Sequence, residues 1–277
     1  MLADLRCPVC ADPFTRSAGT VSCPQGHAFD VARQGYLNLT AGARGPGTAD
    51  TAAMVAARAA FLAAGHFALI ADAVADATAH AAGLVVDVAG GTGYYLAAAL
   101  GKNERATGLC LDLSVPALRR AASAHARAAA VGADAWQRLP LVTGRAAAVL
   151  SIFGPRNADE VERILALDGV FIVVSPRDGH LRELVDRLGL IGVDPDKARR
   201  QAATFARFDQ LAEQRVTYPL ALDHAAALAA AEMGPSAAHH DAAELARRAA
   251  HLPDVLEVRV DVSVAAYGRS VGSRSPL

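Results

Sequence analysis

Val85-Val86-Asp87-Val88-Ala89-Gly90-Gly91-Thr92-Gly93-Tyr94-Tyr95-Leu96 decides the architecture of this 277-residue chain. An apolar run interrupted by one acid gives way to a glycine-rich turn and then to a helix start. Outward from it, short apolar runs at 84–88, 106–111, 128–131, 147–152 and 170–175 alternate with helical stretches. That alternation predicts an α/β fold with a mainly parallel, doubly wound sheet. On the N-terminal side, Met54, Ala57, Phe61 and Leu62 recur at helical spacing between an N-cap at Asp50 and Gly65, and a second helix is expected over 67–82. Beyond Pro195 the order becomes helix, strand (about 215–222), helix, helix, strand (256–266), which suits an antiparallel C-terminal pair at one edge of the sheet.

The chemistry concentrates where strands end. A turn without side chains lets the backbone approach a ligand closely, and nicotinamide dinucleotides and S-adenosylmethionine both use such turns. The dinucleotide pattern G-x-G-x-x-G needs a glycine where this chain has Leu96, so that helix and strand can pack around a pyrophosphate. The pattern Asp-x-Ala-x-Gly-x-Gly over Asp87, Ala89, Gly91 and Gly93 instead resembles motif I of the class I, Rossmann-like methyltransferases, whose cofactor has no pyrophosphate. Ala89 stands where that motif usually has its first glycine, a replacement that suits a negative φ. Asp112 follows Gly93 by nineteen residues at the end of the second strand, where a carboxylate can accept both ribose hydroxyls. Asp134 and Ala135 follow the third strand, where methyltransferases commonly contact the adenine. Each aspartate alone reads as well as a helix cap or a solvated turn; the strand-end features in register predict an S-adenosylmethionine site.

Cys7, Cys10, Cys23 and His27 form the pattern C-x2-C-x12-C-x3-H and use three of the four cysteines. Thiolate and imidazole suit Zn2+, and four protein ligands leave no open position for water, so the predicted site is structural. Pro8, Pro24 and Gly26 sit within the two pairs, where tight turns present the ligands to one metal. The organisation expected is a zinc-binding module over 1–39, a linker rich in Gly, Thr and Pro over 40–49, and a methyltransferase domain over 50–277.

Composition narrows the class. Lys and Arg number 27 against 28 acids and the pI is about 6.8, so bulk charge gives no support to nucleic-acid binding and any basic surface must be local. The mean hydropathy of +0.23 is raised by alanine, and no apolar run approaches the roughly eighteen residues that span a bilayer. Cysteines spent on metal, with Cys110 left inside a strand, and an N-terminus without an apolar signal region point to a cytoplasmic protein with no membrane partner.

The fourth strand ends in Ser151-Ile152-Phe153-Gly154-Pro155-Arg156-Asn157. Enzymes that methylate exocyclic amines place Asp/Asn-Pro-Pro-aromatic there, and its absence favours a ring nitrogen, carbon, oxygen or carboxylate acceptor. Basic residues at Arg58, Arg119-Arg120, Arg199-Arg200 and Arg247-Arg248 are candidates for an RNA-binding groove, although exposed helix charges are the ordinary reading.

Nearly the whole chain resembles one family, the RlmA/TlrB-type methyltransferases that modify guanine N1 in 23S ribosomal RNA, and most closely its actinomycete macrolide-resistance branch. The likeness rests on Cys23-Pro24-Gln25-Gly26-His27, on 29–39, on Asp50-Thr51 leading through Met54 and Arg58 to Gly65-His66, on Gly90-Gly91-Thr92-Gly93, on Phe153-Gly154-Pro155-Arg156-Asn157, on His180-Leu181, and on Met233-Gly234-Pro235-Ser236 with 244–248. The resemblance implies zinc on Cys7, Cys10, Cys23 and His27, a module that grips an RNA hairpin, and a homodimer with no role for DNA. It also implies a cofactor lying against Gly91 and Thr92, with Phe67 and His180 closing over it. Phe67 replaces a usual tyrosine and Ala238 a usual tryptophan. His180, Asp178 and Arg156 are the candidates for proton relay and for base or phosphate contacts. Two other readings stay open: a methyltransferase acting on a small molecule or protein, and an inactive S-adenosylmethionine-binding protein that binds RNA.

Overall fold

The computed structural model describes residues 1–40, 49–192, 205, 207–234, 237 and 240–270. The N-terminal part is a meander of β1 (Thr15–Ser17), β2 (Thr20–Ser22) and β3 (Ala28–Asp30), followed by β4 (Leu37–Asn38). Two helices, α1 (Ala52–Ala63) and α2 (Ala68–Ala77), precede the alternating region: β5 (Gly83–Val88), α3 (Tyr94–Lys102), β6 (Ala106–Asp112), α4 (Val115–Ala121), β7 (Ala128–Gly132), β8 (Ala146–Ile152), α5 (Ala158–Ile164), β9 (Leu165–Pro176) and α6 (Arg182–Leu188). The chain ends in β10 (Phe208–Leu222), α7 (His224–Glu232), α8 (Ala242–Ala250) and β11 (Leu256–Arg269).

Eight strands form one sheet in the order β10-β11-β9-β8-β5-β6-β7-β4. The six from β9 to β4 run parallel, and the antiparallel pair β10–β11 closes the far edge, with β11 antiparallel to β9. From β5 the chain moves one way through β6 and β7, then returns to β8 and β9 on the other side. Where that direction reverses, a crevice opens beyond the carboxyl ends of β5 and β8, the usual ligand position in such sheets.

Alternation along β5 distributes its side chains between two cores. Val85 faces a cluster with Leu96, Leu100, Cys110, Leu118 and Ile172. Val86 and Val88 face a second with Leu109, Leu111 and Phe171, and Leu5, Phe14 and Val21 of the N-terminal part belong to that second cluster. At roughly 1.5–3 kcal/mol for each large apolar side chain buried, those three residues anchor the N-terminal meander firmly to the sheet.

Several expectations change in detail. Asp50 does not cap α1; the Thr51 hydroxyl accepts the Met54 N–H at 3.2 Å, and Asp50 pairs with Arg58. Helix α2 stops at Ala77, where the Thr78 hydroxyl donates to the Val74 and Ala75 carbonyls. No helix joins β7 to β8. Segment 133–145 instead forms a bridge between Leu5 and Leu141, and Pro140 accepts the Arg6 N–H at 3.0 Å. Leu37 and Asn38 pair with Val131 and Gly132 and so extend the main sheet. Strand β10 begins seven residues before 215, at Phe208, because β11 offers a partner for nearly its whole length; after Phe208, which is buried against Phe171, residues 209–215 are exposed and carry no apolar alternation of their own. The helix expected after Pro195, positions 41–48 of the linker, Arg199-Arg200 and Ala238 lie outside the described residues. No single described helix is long and apolar enough to cross a membrane; α1 and α2 pass such a test only together, across an 84° bend.

Candidate cofactor pocket and metal centre

The crevice at the sheet reversal contains a cavity of about 680 Å³, within the range of small-molecule sites of roughly 300–1,000 Å³. Its floor is the turn after β5. Gly90 must lack a side chain, since a Cβ there would come within 2.6 Å of the Asp87 carboxyl and 2.8 Å of the Cys110 sulfur. Gly93 caps α3 with φ 76°, and a Cβ on it would press on Ala124 at 3.0 Å and on the Ala121 backbone at 3.2 Å, against α4. Three non-glycine residues lining the cavity also have positive φ: Ala89 at 55°, Phe153 at 55° and Leu181 at 52°. Strain of this kind, of order 1–3 kcal/mol each, collects where surrounding structure holds a binding surface in place. Ala89 thus lacks the negative φ that would suit its replacement of the usual glycine.

Asp112 closes one side. Its carboxylate accepts the Gly91 N–H and the Ser114 N–H, each at 2.8 Å, so it braces the turn; burial pushes its pKa up, while those two hydrogen bonds pull it back. Asp87 lies beneath the turn, fully buried, with neither carboxyl oxygen partnered. Burial, aided by the charge of Asp112, pushes its pKa up to about 8. A buried carboxyl without a donor is costly, and a ligand amine or ammonium at the turn would partner it. A glycine-rich turn, a braced carboxylate at the end of β6 and an orphaned acid at the end of β5 fit S-adenosylmethionine.

Opposite stands an aromatic wall. Phe67 packs edge-on against Phe61 at 5.0 Å between centroids and lies 5.8 Å from His180, which stacks on Phe153 at 5.8 Å. Burial pushes His180 down to about 4, against the charge of Asp261. Its Nδ1 accepts the Asp261 N–H at 3.3 Å, so the neutral ring carries its proton on Nε2.

At the other end of the chain, the ligand atoms of Cys7, Cys10, Cys23 and His27 all lie within 4.8 Å of one another. Cys10 and Cys23 sulfurs are 3.5 Å apart, and His27 Nδ1 is 3.7 Å from Cys7 and 3.3 Å from Cys23. A tetrahedron built on Zn–S bonds of about 2.3 Å has edges of about 3.8 Å, so the four groups fit one zinc ion. Turns fix them: Cys7 accepts the Ala11 N–H at 2.8 Å, and Cys23 accepts the Gly26 N–H at 3.0 Å.

Comparison with known proteins gives the family. Residues 5–40 match the model of the N-terminal zinc ribbon of RlmA. The chain is 48% identical over 94% of its length, and 94% of the relative's, to a 23S rRNA (guanine(748)-N(1))-methyltransferase of Streptomyces fradiae. It is 44% identical to a putative 23S rRNA (guanine-N(1)-)-methyltransferase of Micromonospora griseorubida, covering 96% of this chain and 98% of that one. The chain belongs to the 23S rRNA (guanine-N1-)-methyltransferase family. A Bacillus subtilis member, described as putative, is 32% identical over 73% of this chain and 74% of its own.

The cavity brings together most of the residues read from sequence. Phe67, Asp87, Gly91, Thr92, Asp112, Asp134, Ala135 and His180 line the cavity, and Gly93 starts the helix behind it. Two catalytic candidates do not line it. Asp178 is exposed, and Arg156 turns inward to donate to Ser175 Oγ at 2.8 Å and to lie over the Phe205 ring. Arg58, considered above for an RNA groove, lines the cavity instead: it pairs with Asp50 and donates to the Met233 carbonyl at 2.6 Å. Arg247 and Arg248 are both held by Glu244. Sequence reasoning missed Phe153 and Arg58 as lining residues. Both carry a local signal: Phe153 stands at the end of the fourth strand, and Arg58 is a lone arginine on an otherwise alanine-rich helix.

Proposed function

We propose that this protein transfers a methyl group from S-adenosylmethionine to guanine N1 in a hairpin loop of 23S ribosomal RNA. The observation that carries the reading is 48% identity to the Streptomyces fradiae enzyme along 94% of both chains. Bound at the turn, the cofactor would supply a methyl group already activated by its sulfonium charge: as the N1–CH3 bond forms the S–CH3 bond would break, leaving the neutral thioether of S-adenosylhomocysteine, and guanine N1 would release its proton to solvent water. The chain's own task is alignment, which can contribute several kcal/mol. Asp112 braces the turn and offers its carboxylate to the ribose, Asp134 and Ala135 meet the adenine edge, and Asp87 partners an amine. His180 acts as an Nε2–H donor and a ring wall; with its pKa near 4 and Nδ1 engaged, it is a poor proton acceptor at neutral pH. A paired guanine hides N1, so the target must lie in a loop or be flipped. The zinc ribbon grips the hairpin, two copies enclose it as a homodimer in the cytoplasm, and the modification confers macrolide resistance.

Mass mapping of methylated nucleotides in 23S rRNA from otherwise identical cells with and without the protein tests this. A methylguanine present only with the protein is expected. Methyl transfer to RNA-free extract and none to rRNA would overturn the reading. Light scattering checks the dimer, and drug susceptibility the resistance.

A further inference from the structure

Trp136 is the chain's one tryptophan. Every phenylalanine and tyrosine is buried or half-buried, whereas Trp136 is 63% exposed. Leaving so large an apolar surface in water is unfavourable and unusual for tryptophan. The ring nevertheless stands on a fixed support: the Asp134 carboxylate accepts its backbone N–H at 2.9 Å, and Asn157 donates to the Ala135 carbonyl at 3.3 Å. The indole itself has no hydrogen-bond or ring partner among the described residues.

Its position joins the two sites described above. Trp136 lines the cavity, and the same segment continues to Pro140 and Leu141, which pair with Arg6 and Leu5 beside Cys7. The exposed ring therefore lies on the strip of chain that runs from the cofactor pocket to the zinc ribbon. Arg138, exposed on that strip, makes no hydrogen bond or ion pair among the described residues, and the neighbouring Glu160 is already committed to Arg163 and the Leu139 N–H. An open aromatic face, with an exposed arginine two residues on that feels the charge of Glu160 but forms no ion pair with it, matches a nucleotide, base on ring and phosphate on cation.

Resting on the proposed function, we infer that Trp136 is a binding residue for the RNA, stacking on a nucleobase at the cavity mouth as the target guanine enters. The competing occupant of the same face is the cofactor's adenine, and the two differ in what they would change. Because the chain holds one tryptophan beside five tyrosines, fluorescence excited to the red of the tyrosine absorption reports from this position alone. A 23S rRNA transcript spanning the methylated guanine is expected to quench it, and S-adenosylhomocysteine by itself is not. Trp136→Ala is expected to raise the KM for that transcript about tenfold, within the roughly 5- to 150-fold that base stacking on an aromatic spans, with calorimetric cofactor affinity unchanged. Trp136→Phe is expected to retain most of the binding, and Trp136→Leu to behave like alanine, since bulk without a π face gives no stack. Quenching by S-adenosylhomocysteine alone, with weakened cofactor binding in Trp136→Ala, would overturn the inference, as would a wild-type KM in that variant. Either result leaves RNA methylation by the wild-type protein intact, whereas a wild-type protein inactive on RNA would remove the parent reading itself.

Discussion

Asp87→Asn is expected to stabilise the ligand-free protein at neutral pH. Neither carboxyl oxygen has a partner, and burial, with the charge of Asp112, moves the pKa from 3.8 to about 8. An unfolded chain gives up this proton near 3.8, while the fold keeps it until about pH 8. The group's contribution is therefore fully present below pH 4 and is lost as pH rises through 8, at about 1.4 kcal/mol per pH unit. At pH 7 the loss amounts to about 4 kcal/mol, a large part of the roughly 5–15 kcal/mol that holds a domain together. Asparagine has nearly the same shape and no proton to lose, and its amide is left as unsatisfied as the neutral acid was. Urea unfolding of both proteins from pH 5 to pH 8, without cofactor, measures the effect, and the pairwise difference cancels the histidines and other common titrations. The gap should favour the variant, widen by about 1.4 kcal/mol per pH unit as far as pH 7, and level off near 8. Parallel stability curves would refute the argument that the carboxyl is held neutral by the fold.

Asp112→Ala removes the acceptor for the Gly91 and Ser114 N–H groups, and hydrogen bonds to a charged group are worth about 1.5–3 kcal/mol each. Cofactor affinity measured by calorimetry should fall at least about tenfold, and an unchanged value would remove Asp112 from the site. Ala89→Gly should be neutral or stabilising by up to about 1 kcal/mol, because relief of a left-handed alanine exceeds the entropy cost of glycine; a lowered melting temperature would contradict the φ of 55°. Cys7→Ser should abolish the single bound zinc in elemental analysis and the methylation of RNA, while cofactor binding persists. RNA methylation at the wild-type rate in that variant would show that the ribbon does not deliver the substrate.

Much of the molecule is determined within short stretches of sequence. The run from Val85 to Leu96 specifies strand, turn and helix because its glycines and apolar spacing act on their own backbone, and the zinc ligands are legible because C-x2-C and C-x3-H are themselves the geometry of two turns. Strand ends can be counted, so Asp112 and Asp134 could be placed at one edge before any packing was known. Other features depend on contacts that chain order does not reveal. Arg58 reaches Met233 across 175 residues, Leu37 and Asn38 join a sheet whose nearest strand lies almost a hundred positions on, and the exposed stretch 209–215 of β10 becomes a strand only because β11 is there to pair with it. The positive φ of Ala89, the orphaned carboxyl of Asp87 and the open face of Trp136 are likewise tertiary outcomes. Burial and long-range pairing are properties of the surroundings, and residue identity alone does not encode what a side chain will be left facing.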